Sequence, residues 1–289
     1  DRNIEEILRC SDHITFNSVA QFERFGPMAL LRGISCGLRI NPQYSPVETD
    51  LYNPCVPGSR LGVTADELKE LPAGIDGLHF HVLCESRPHH LRLALEAVEK
   101  HFGQYLDRIK WLNMGGGHLM THAEYDCDEL IALLREFKAR HPHLRLILEP
   151  GSAFTWCTGY LVSTIEDLVE NAGVHTAMLD VSFACHMPDC LEMPYKPAIV
   201  GAHEPAEGEK RWRMGGTSCL AGDYYGDWAF DHELKVGERI VFEDMIHYTM
   251  VKTTMFNGVA HPAIVIARRD GRIDVVREFG YEDFRNRMS

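Results

Sequence analysis

Short apolar runs alternate with amphipathic segments through the first half of the chain, at intervals of roughly 30–40 residues. The apolar runs are each short enough to be a strand, and they cover residues 14–16, 33–40, 76–83, 109–114 and 144–148. Helices are predicted between them, over residues 3–10, 19–25, 88–103 and 126–140. We expect the second helix to stop at Gly26-Pro27, and a further short helix to begin at Thr64. Strands and helices alternating at this spacing predict parallel βα units.

The pattern changes after about residue 156, where short β-like runs follow one another with turns rich in Pro, Gly and Asp between them. These runs cover residues 159–164, 175–180, 198–200, 238–242, 263–268 and 273–279, and a last helix is predicted over residues 281–288. Two domains are therefore expected. An α/β domain covers residues 1–157, and a β-rich, β-barrel-like domain covers residues 158–289.

Chemically distinctive residues lie at the carboxyl ends of the predicted strands. His81 lies at the end of the third strand, Gly115–Gly117 follow the fourth and Glu149 follows the fifth. (β/α)8 barrels carry their chemistry at this edge. Since five βα units cannot close a barrel of eight, we expect an incomplete TIM-like barrel, with about three units preceding Asp1. A doubly wound open sheet, which tolerates five strands, is the alternative.

Composition and charge narrow the class of protein. The chain has 289 residues, 45% of them hydrophobic and 25% charged, which is ordinary for a globular protein, and no apolar run is long enough to span a bilayer. The net charge of -13 argues against a nucleic-acid surface and is compatible with a cationic small substrate. Nine cysteines without regular spacing favour reduced thiols in the cytoplasm over a secreted disulfide scaffold.

The triple glycine Gly115–Gly117 lies between a predicted strand and a predicted helix. Glycine has no Cβ, so the backbone N–H groups of such a loop can approach a phosphate closely. A flexible turn is the alternative. The P-loop sequence and the GxGxxG fingerprint are both absent. A phosphate-bearing cofactor or a sugar phosphate in a barrel is therefore the expected ligand class.

Two ionisable residues at strand ends are candidates for chemistry. Glu149 lies between an apolar strand and Pro150-Gly151, where its carboxylate could pair with a protonated ring nitrogen or form a structural ion pair. His81 could stack on an aromatic ring or be a core histidine with satisfied hydrogen bonds. Taken alone, neither residue shows whether its role is functional or structural.

The second half of the chain offers one nucleophile in a suggestive context. Cys219 lies in a glycine-rich loop with Asp223 four residues later, and the two could form a catalytic pair. Cys185-His186 lies close to further potential ligands, but their spacing fits no common zinc pattern. No metal site is therefore expected.

Taken together, these motifs resemble the alanine-racemase-like (fold type III) class of pyridoxal-phosphate decarboxylases, which includes ornithine, diaminopimelate and arginine decarboxylases. The resemblance rests on the order His-x-His-Val, Gly-Gly-Gly, Glu-Pro-Gly, Gly-x-Thr-x-Cys and Asp-Met-x-x-Tyr-Thr. The carboxynorspermidine (carboxyspermidine) decarboxylase branch is especially similar in residues 38–42, 51–55, 186–189 and 254–258. The resemblance implies a cytoplasmic homodimer with shared active sites that forms norspermidine or spermidine in polyamine biosynthesis, with pyridoxal 5'-phosphate as its cofactor.

For the first domain, the resemblance implies three roles around the cofactor. His81 is similar to the histidine that stacks on the cofactor ring. Gly115, Gly116 and Gly117 match the phosphate loop. Glu149 matches the carboxylate that keeps the pyridine nitrogen protonated, which makes the ring an electron sink.

For the second domain, the resemblance implies a proton donor and substrate contacts. Cys219 is similar to the cysteine that the partner subunit contributes as proton donor, and Asp223 follows it in the same loop as a substrate contact. Tyr248 matches a tyrosine near the cofactor phosphate. Asp180 lies where the family places an acid facing the distal amine of the substrate.

Three departures from the family pattern limit these expectations. Ser152 replaces an arginine after Glu-Pro-Gly, and Leu83-Cys84 replaces a Gly-Ser phosphate contact, although both are similar to the polyamine branch. The lysine that binds the cofactor covalently is expected before Asp1, because no lysine of the sequence lies in a matching context. The 289 residues are therefore expected neither to bind the cofactor covalently nor to turn over.

Other functions stay open at this point. One is decarboxylation of diaminopimelate, ornithine or arginine. A second is a non-catalytic homologue acting as a binding or regulatory subunit. A third is a sugar-phosphate barrel enzyme without pyridoxal phosphate.

Overall fold

The structure of the protein is a computed structural model that describes residues 3–288. It divides into two compact units, Asp1–Phe154 and Thr155–Ser289. The domain boundary expected after residue 157 lies close to this division. None of the helices between residues 3 and 288 combines the length and apolar character needed to cross a membrane.

The first unit alternates helices and strands. It consists, in chain order, of α1 (Ile4–Arg9), β1 (His13–Phe16), α2 (Val19–Leu31), β2 (Ser35–Arg39), β3 (Ile75–His79), α3 (Pro88–Leu106), β4 (Trp111–Asn113), α4 (Cys127–Arg140) and β5 (Arg145–Ile147). The five strands are parallel and neighbour one another in the order β1-β2-β3-β4-β5. A doubly wound sheet reverses its order at a switch point, and this sheet does not. The expected TIM-like arrangement of five βα units is therefore confirmed, and the doubly wound alternative is wrong.

The helices bury one face each, as their periodicity predicts. In α3 the buried positions include Leu91, Leu95, Val98 and Phe102, spaced three to four residues apart. Pro88 begins this helix, where its missing N–H costs no hydrogen bond. Each of these large apolar side chains contributes about 1.5–3 kcal/mol when buried.

The prediction that Gly26-Pro27 ends the second helix is wrong, because α2 continues to Leu31. Gly26 is buried, and a Cβ there would lie 2.4 Å from the ring of Phe22. Pro27 faces solvent, so water can bond the carbonyl that its missing N–H leaves free. The helix ends where Gly33 takes a φ of 72°, a conformation that favours glycine.

A long connection joins β2 to β3. Residues 41–74 form turns and one isolated bridge, between Ile40 and Val63. The helix expected at Thr64 is wrong: the segment makes a single turn, in which the N–H groups of Glu67 and Leu68 donate to the Thr64 carbonyl. The side chain of Leu68 is buried and Pro72 follows, so the chain leaves the helical path after one turn.

The second unit is rich in strands. It consists, in chain order, of β6 (Leu161–Asn171), β7 (Val174–Leu179), α5 (Phe183–His186), α6 (Pro188–Glu192), β8 (Ala202–His203), β9 (Trp212–Gly215), β10 (Tyr224–Phe230), β11 (Arg239–Phe242), β12 (Ile264–Ala267), β13 (Ile273–Arg277) and α7 (Tyr281–Met288). Six strands form a sheet in the order β11-β6-β7-β9-β10-β8, and β12 and β13 form a separate two-stranded sheet. Within the six-stranded sheet β7 and β9 run parallel, while the other pairs are antiparallel. The expected β-rich second domain is confirmed.

Two details of the second unit differ from the sequence prediction. The strand expected over residues 198–200 is reduced to one bridge, between Ile199 and Phe242. Strands β9 and β10 were not predicted. Their large apolar side chains, Trp212 and Trp228, lie in the core of the unit together with Phe242 and Phe183.

Candidate active site

The carboxyl ends of four neighbouring strands bring the predicted site residues of the first unit together. Arg39 ends β2 and pairs in register with His79, which ends β3; His79 in turn pairs with Asn113, which ends β4. His81 follows two residues after His79, and Glu149 follows two residues after the end of β5. We call these five residues the strand-end cluster.

The carboxylate of Glu149 is fixed by two neighbours that the sequence analysis did not single out. Asn113 Nδ2 donates to Glu149 Oε1 over 2.8 Å, and His79 Nε2 lies 3.5 Å from Glu149 Oε2. The Glu149 side chain is nevertheless 51% exposed. The carboxylate therefore has a fixed direction but stays accessible.

The contact between His79 and Glu149 is not an ion pair at neutral pH. Burial lowers the pKa of His79 to about 4 and outweighs the carboxylate of Glu149, which raises it. His79 Nδ1 is buried and has no hydrogen-bond partner within residues 3–288. His79 is thus an uncharged imidazole with one unused nitrogen beside the carboxylate.

The three glycines are required by close approaches of the backbone. A Cβ on Gly115 would lie 2.5 Å from the Phe80 carbonyl oxygen, and one on Gly117 would lie 2.3 Å from that of Leu83. A Cβ on Gly116 would lie 2.3 Å from the Glu149 carbonyl oxygen. Each contact is with a rigid backbone atom of a segment that follows a neighbouring strand. Packing alone therefore accounts for the absence of Cβ atoms in this loop.

Two of the glycine N–H groups already have acceptors in the strand-end cluster. Gly115 N donates to Asn113 Oδ1 over 2.9 Å, and Gly116 N donates to His81 Nδ1 over 3.1 Å. His81 Nδ1 can accept only when it carries no proton. In agreement, desolvation and then the charge of Arg39 lower the pKa of His81. The loop and the imidazole thus orient each other.

A further histidine lies directly after the glycine loop. His118 is 1% exposed, and its Nδ1 lies 2.8 Å from the hydroxyl of Tyr125. Burial and, to a smaller extent, the nearby His81 lower the pKa of His118 to about 4. The first unit therefore holds His79 and His118 as buried, neutral imidazoles near the predicted site.

In the second unit, Asp223 organises the loop that carries Cys219. Asp223 is 4% exposed, and its carboxylate accepts hydrogen bonds from the backbone N–H groups of Ser218 and Ala184. Its carbonyl accepts from Gly216 N. Both carboxylate oxygens are therefore engaged by backbone. Its role as a substrate contact stays a prediction.

Cys219 itself is exposed, at the outer part of this loop. The side-chain amide of Asn257 donates to Cys219 Sγ over 2.8 Å. The sequence analysis missed Asn257, although it lies in the segment 254–258 that is similar to the polyamine branch. Its distance of 38 residues from Cys219 left no local signal.

The other predicted residues of the second unit lie near strand ends and turns. Asp180 follows β7, is exposed, and accepts hydrogen bonds from Ser163 Oγ over 2.7 Å and Thr164 N over 2.8 Å. Tyr248 is 55% exposed, and the Lys252 ammonium lies 5.9 Å from its ring centre.

Two of the three departures from the family pattern, at Ser152 and Cys84, lie beside the strand-end cluster. Ser152 begins a 3-10 turn, Ser152–Phe154, directly after Glu149-Pro150-Gly151. Cys84 N donates to Ser86 Oγ in the segment that Gly117 approaches. Arg39, His79 and Asn113 were missed as site residues, although each ends a strand, which is the signal that identified His81 and Glu149.

Comparison with known proteins identifies similar chains along the whole sequence. The model of the family described as pyridoxal-dependent decarboxylase, C-terminal sheet domain, matches residues 125–246. Carboxyaminopropylagmatine decarboxylase of Synechocystis sp. is 58% identical over 287 residues, which are 99% of this chain and 74% of that protein. Carboxynorspermidine/carboxyspermidine decarboxylase of Campylobacter jejuni is 40% identical over 293 residues, covering 97% of this chain and 76% of that protein.

A solved structure agrees with these sequence matches. The crystal structure of carboxynorspermidine decarboxylase from Campylobacter jejuni, complexed with norspermidine, superposes with a TM-score of 0.87 at 38% identity. The match covers 98% of this chain and 77% of that one. Fold and sequence lead to the same assignment. The chain belongs to the family of pyridoxal-phosphate-dependent decarboxylases.

Proposed function

We propose that this protein removes the carboxyl group of a carboxylated polyamine, of the carboxynorspermidine or carboxyspermidine type, as a step of polyamine biosynthesis. The observation that carries the proposal is similarity along nearly the whole chain to two enzymes named for such substrates. The Campylobacter jejuni structure, complexed with norspermidine, supports the same class of ligand. A net charge of -13 is compatible with a cationic substrate.

The strand-end cluster fits pyridoxal phosphate. The adjacent glycine loop, Gly115–Gly117, has room for backbone only, and it lies beside the His81 imidazole and the accessible Glu149 carboxylate. When bound, the cofactor supplies a protonated pyridine ring that accepts the electron pair released as carbon dioxide leaves. Glu149 would hold the proton on the ring nitrogen, and His81 would pack on the ring. Asn113 and His79 would keep the Glu149 carboxylate aimed at that nitrogen.

The glycine loop would take part in holding the phosphate. Gly115 N and Gly116 N donate to Asn113 and His81, so these two groups stiffen the loop. A phosphate contact by Gly116 N would require His81 Nδ1 to give up its hydrogen bond. Tyr248 is the further residue that the resemblance assigns to the phosphate, and its side chain is 55% exposed.

The second unit would supply the proton and recognise the substrate. Cys219 would act in the active site of the partner subunit of a homodimer, where its Sγ gives a proton to the substrate's α-carbon. Asp180, with an exposed carboxylate, would face the distal cationic group of the substrate. Asp223 would act mainly by shaping the Cys219 loop, because its carboxylate is buried against backbone N–H groups. The protein would work in the cytoplasm.

A second candidate substrate is carboxyaminopropylagmatine. It is favoured by the 58% identity to the Synechocystis enzyme, against 40% for the Campylobacter jejuni enzyme. Agmatine ends in a guanidinium group, whereas norspermidine and spermidine end in an amine. The two candidates therefore share the decarboxylated end and differ at the end that an acid such as Asp180 would contact.

The proposal is tested by measuring carbon dioxide release by the full-length gene product with added pyridoxal phosphate. The substrates are carboxynorspermidine, carboxyspermidine, carboxyaminopropylagmatine, diaminopimelate, ornithine and arginine. We expect kcat/KM for at least one of the first three to exceed the values for the last three by about a hundredfold. Preference for one of the last three, or no carbon dioxide release at all, would overturn the proposal. The latter result would favour the binding-subunit alternative.

A matched pair of variants tests the role of Glu149 in the same assay. Glu149→Gln keeps the shape of the side chain but cannot hold a proton on the ring nitrogen, so kcat should fall about a hundredfold or more. Glu124→Gln makes the same change at an exposed carboxylate of the same unit, whose contact is a surface pair with Arg87. Its activity should remain that of the unaltered enzyme. Equal activity of the two variants would rule out the role of Glu149.

A further inference from the structure

Two loops of the second unit meet at the Cys219 sulfur. Asn257 Nδ2 donates to Cys219 Sγ over 2.8 Å, and both residues are exposed. Sulfur is a weak acceptor when protonated and a stronger one when it carries charge. The amide N–H group thus lies against the sulfur to which the proposed function assigns the proton transfer.

Both loops are anchored to the same short helix, α5. The Cys219 loop is attached through Asp223, whose carboxylate accepts from Ala184 N. The Asn257 loop is attached through Thr254 N, which donates to the Cys185 carbonyl over 2.8 Å. One rigid element thus sets the distance between the amide and the sulfur.

The backbone at Asn257 is also specialised. Its φ is 53° and its ψ is 25°, in the left-handed region, and Gly258 follows with a φ of 82°. Asparagine tolerates this region better than most residues, and glycine adopts it freely. The backbone explains why asparagine or glycine suits this turn, but it does not explain the direction of the amide. That direction is accounted for by the sulfur.

We propose that Asn257 is a positioning residue for Cys219, whose side-chain amide stabilises the thiolate that remains when Cys219 gives up its proton. The inference rests on the proposed role of Cys219 as proton donor. In that step the S–H bond breaks and a C–H bond forms at the substrate's α-carbon. The sulfur keeps the electron pair, and the Asn257 N–H group lies against it. After the product has left, solvent returns a proton to the sulfur.

The test measures how fast Cys219 reacts with iodoacetamide, which requires the thiolate. Alkylation of each cysteine is followed by peptide mass spectrometry at pH 7 and at pH 10, where thiols in general are ionised. Asn257→Gly removes the amide without straining the left-handed backbone. We expect its rate at pH 7 to fall about tenfold, with the rate at pH 10 nearly unchanged. The exposed Cys10 and Cys127 serve as internal controls and should not change.

A second variant separates hydrogen bonding from loop geometry. Asn257→Asp has the same shape and tolerates the same backbone, but its carboxylate repels a thiolate, so the pH 7 rate should fall further than in Asn257→Gly. Asn171→Asp adds the same charge at an exposed hairpin position of the same unit and should leave Cys219 unaffected. If both Asn257 variants keep the original ratio of the pH 10 rate to the pH 7 rate, the inference is wrong. An equal change at Cys10 and Cys127 would also overturn it.

The alkylation assay needs no turnover, so it separates this inference from the proposed function. If the full-length gene product is a decarboxylase, Asn257→Gly should lower kcat while KM stays within about twofold, because the amide acts on the proton step and not on substrate binding. If no carbon dioxide is released by any form of the protein, the proposed function fails, while the alkylation ratio still reports on Asn257. A decarboxylase whose kcat is unchanged in Asn257→Gly would contradict the positioning role.

Discussion

The two units hold their candidate residues by different means. In the first unit the side chains stand on strand ends that the parallel ladder fixes, from Arg39 across to Asn113. In the second unit Cys219 stands on an exposed loop, held by the carboxylate of Asp223 and the amide of Asn257. Precision thus comes from backbone pairing in one unit and from individual side-chain hydrogen bonds in the other.

This difference suits the two tasks proposed for the units. A cofactor ring and its carboxylate partner need a fixed geometry, which strand ends provide because their positions are set by many hydrogen bonds at once. A proton donor that serves a partner subunit must project from the surface, and exposed loops can do so. The cost is that the loop depends on a few contacts, each of which a single substitution removes.

The largest expected effect comes from adding one methyl group to the strand-end glycine loop. Gly116→Ala would place a Cβ 2.3 Å from the Glu149 carbonyl oxygen, and this backbone atom cannot move without separating the ends of β4 and β5. We expect a loss of about 3 kcal/mol or more in the free energy of unfolding, measured by urea denaturation followed by circular dichroism. Pyridoxal phosphate binding by the full-length gene product should weaken in parallel.

The same substitution in the Cys219 loop provides the control. A Cβ on Gly222 would meet nothing within 4 Å, and the residue is exposed. Gly222→Ala should therefore be neutral or slightly stabilising, by up to about 1 kcal/mol, through the unfolded chain. Similar urea midpoints for the two variants would show that the glycine loop is as adaptable as the Cys219 loop, and the comparison between the units would fail.

The strand-end half of the site could be predicted from the sequence, because its residues are identified by the sequence pattern directly around them. A polar residue directly after an apolar run lies at a strand end, and parallel strands bring their carboxyl ends together, so His81, Gly115–Gly117 and Glu149 could be placed in advance. The same rule also applies to His79 and Asn113. They were passed over because one side chain's hydrogen bond to another leaves no trace in periodicity.

The second unit was harder to predict because its pairings are distant in the chain. Strand β9 pairs with β7, more than 30 residues away in the sequence. The side chain of Trp212 is buried, but the residues next to it in the sequence are polar, so no strand was predicted there. Helix α2 shows the opposite case, in which the local stop signal Gly26-Pro27 is overridden by packing of Phe22 and Ala29. Tertiary contacts decide such segments, and propensity only biases them.

An intermediate effect is expected from the carboxylate that shapes the Cys219 loop. Asp223→Asn would turn an amide N–H group toward one of two backbone donors, Ser218 N or Ala184 N, and leave that donor without an acceptor. Burial of an unsatisfied donor costs about 1–3 kcal/mol, so the free energy of unfolding should fall by about 2 kcal/mol. Cys219 should also react with iodoacetamide at a rate less dependent on Asn257, because the loop is no longer held against the amide.

The matched control for this change is Asp231→Asn, at an exposed turn of the same unit. It removes the same charge without burying an unsatisfied group. Its free energy of unfolding should therefore stay within about 0.5 kcal/mol of that of the unaltered protein. If Asp223→Asn behaves in the same way, the loop is held by its backbone alone. The contrast between a site fixed by strand pairing and a site fixed by side-chain hydrogen bonds would then disappear.

The smallest effect concerns the buried histidines near the strand-end cluster. The folded-state pKa of His118 is lowered to about 4 from its ordinary value of 6.5. The unfolded chain therefore binds a proton more readily between pH 6.5 and pH 4, so the stabilising contribution is fully present above pH 6.5 and is lost as the pH falls through this window. From pH 6.5 to pH 5, where ordinary carboxylates remain largely ionised, the loss is about 1.5 kcal/mol.

His118→Asn removes this proton site and keeps an acceptor where Nδ1 faces the Tyr125 hydroxyl. The free energy of unfolding is measured by urea denaturation at several pH values from 6.5 to 5. Over this range it should fall by about 1.5 kcal/mol less in His118→Asn than in the unaltered protein. His89→Asn makes the same change at an exposed position of the same unit and controls for the substitution itself. Because His79 is buried with a similarly lowered pKa and His186 is its counterpart in the second unit, some acid sensitivity should persist in His118→Asn. If His118→Asn leaves the pH dependence of the free energy of unfolding unchanged, the imidazole must become hydrated or find a hydrogen-bond partner as the pH falls. The strand-end region would then adapt as readily as an exposed loop.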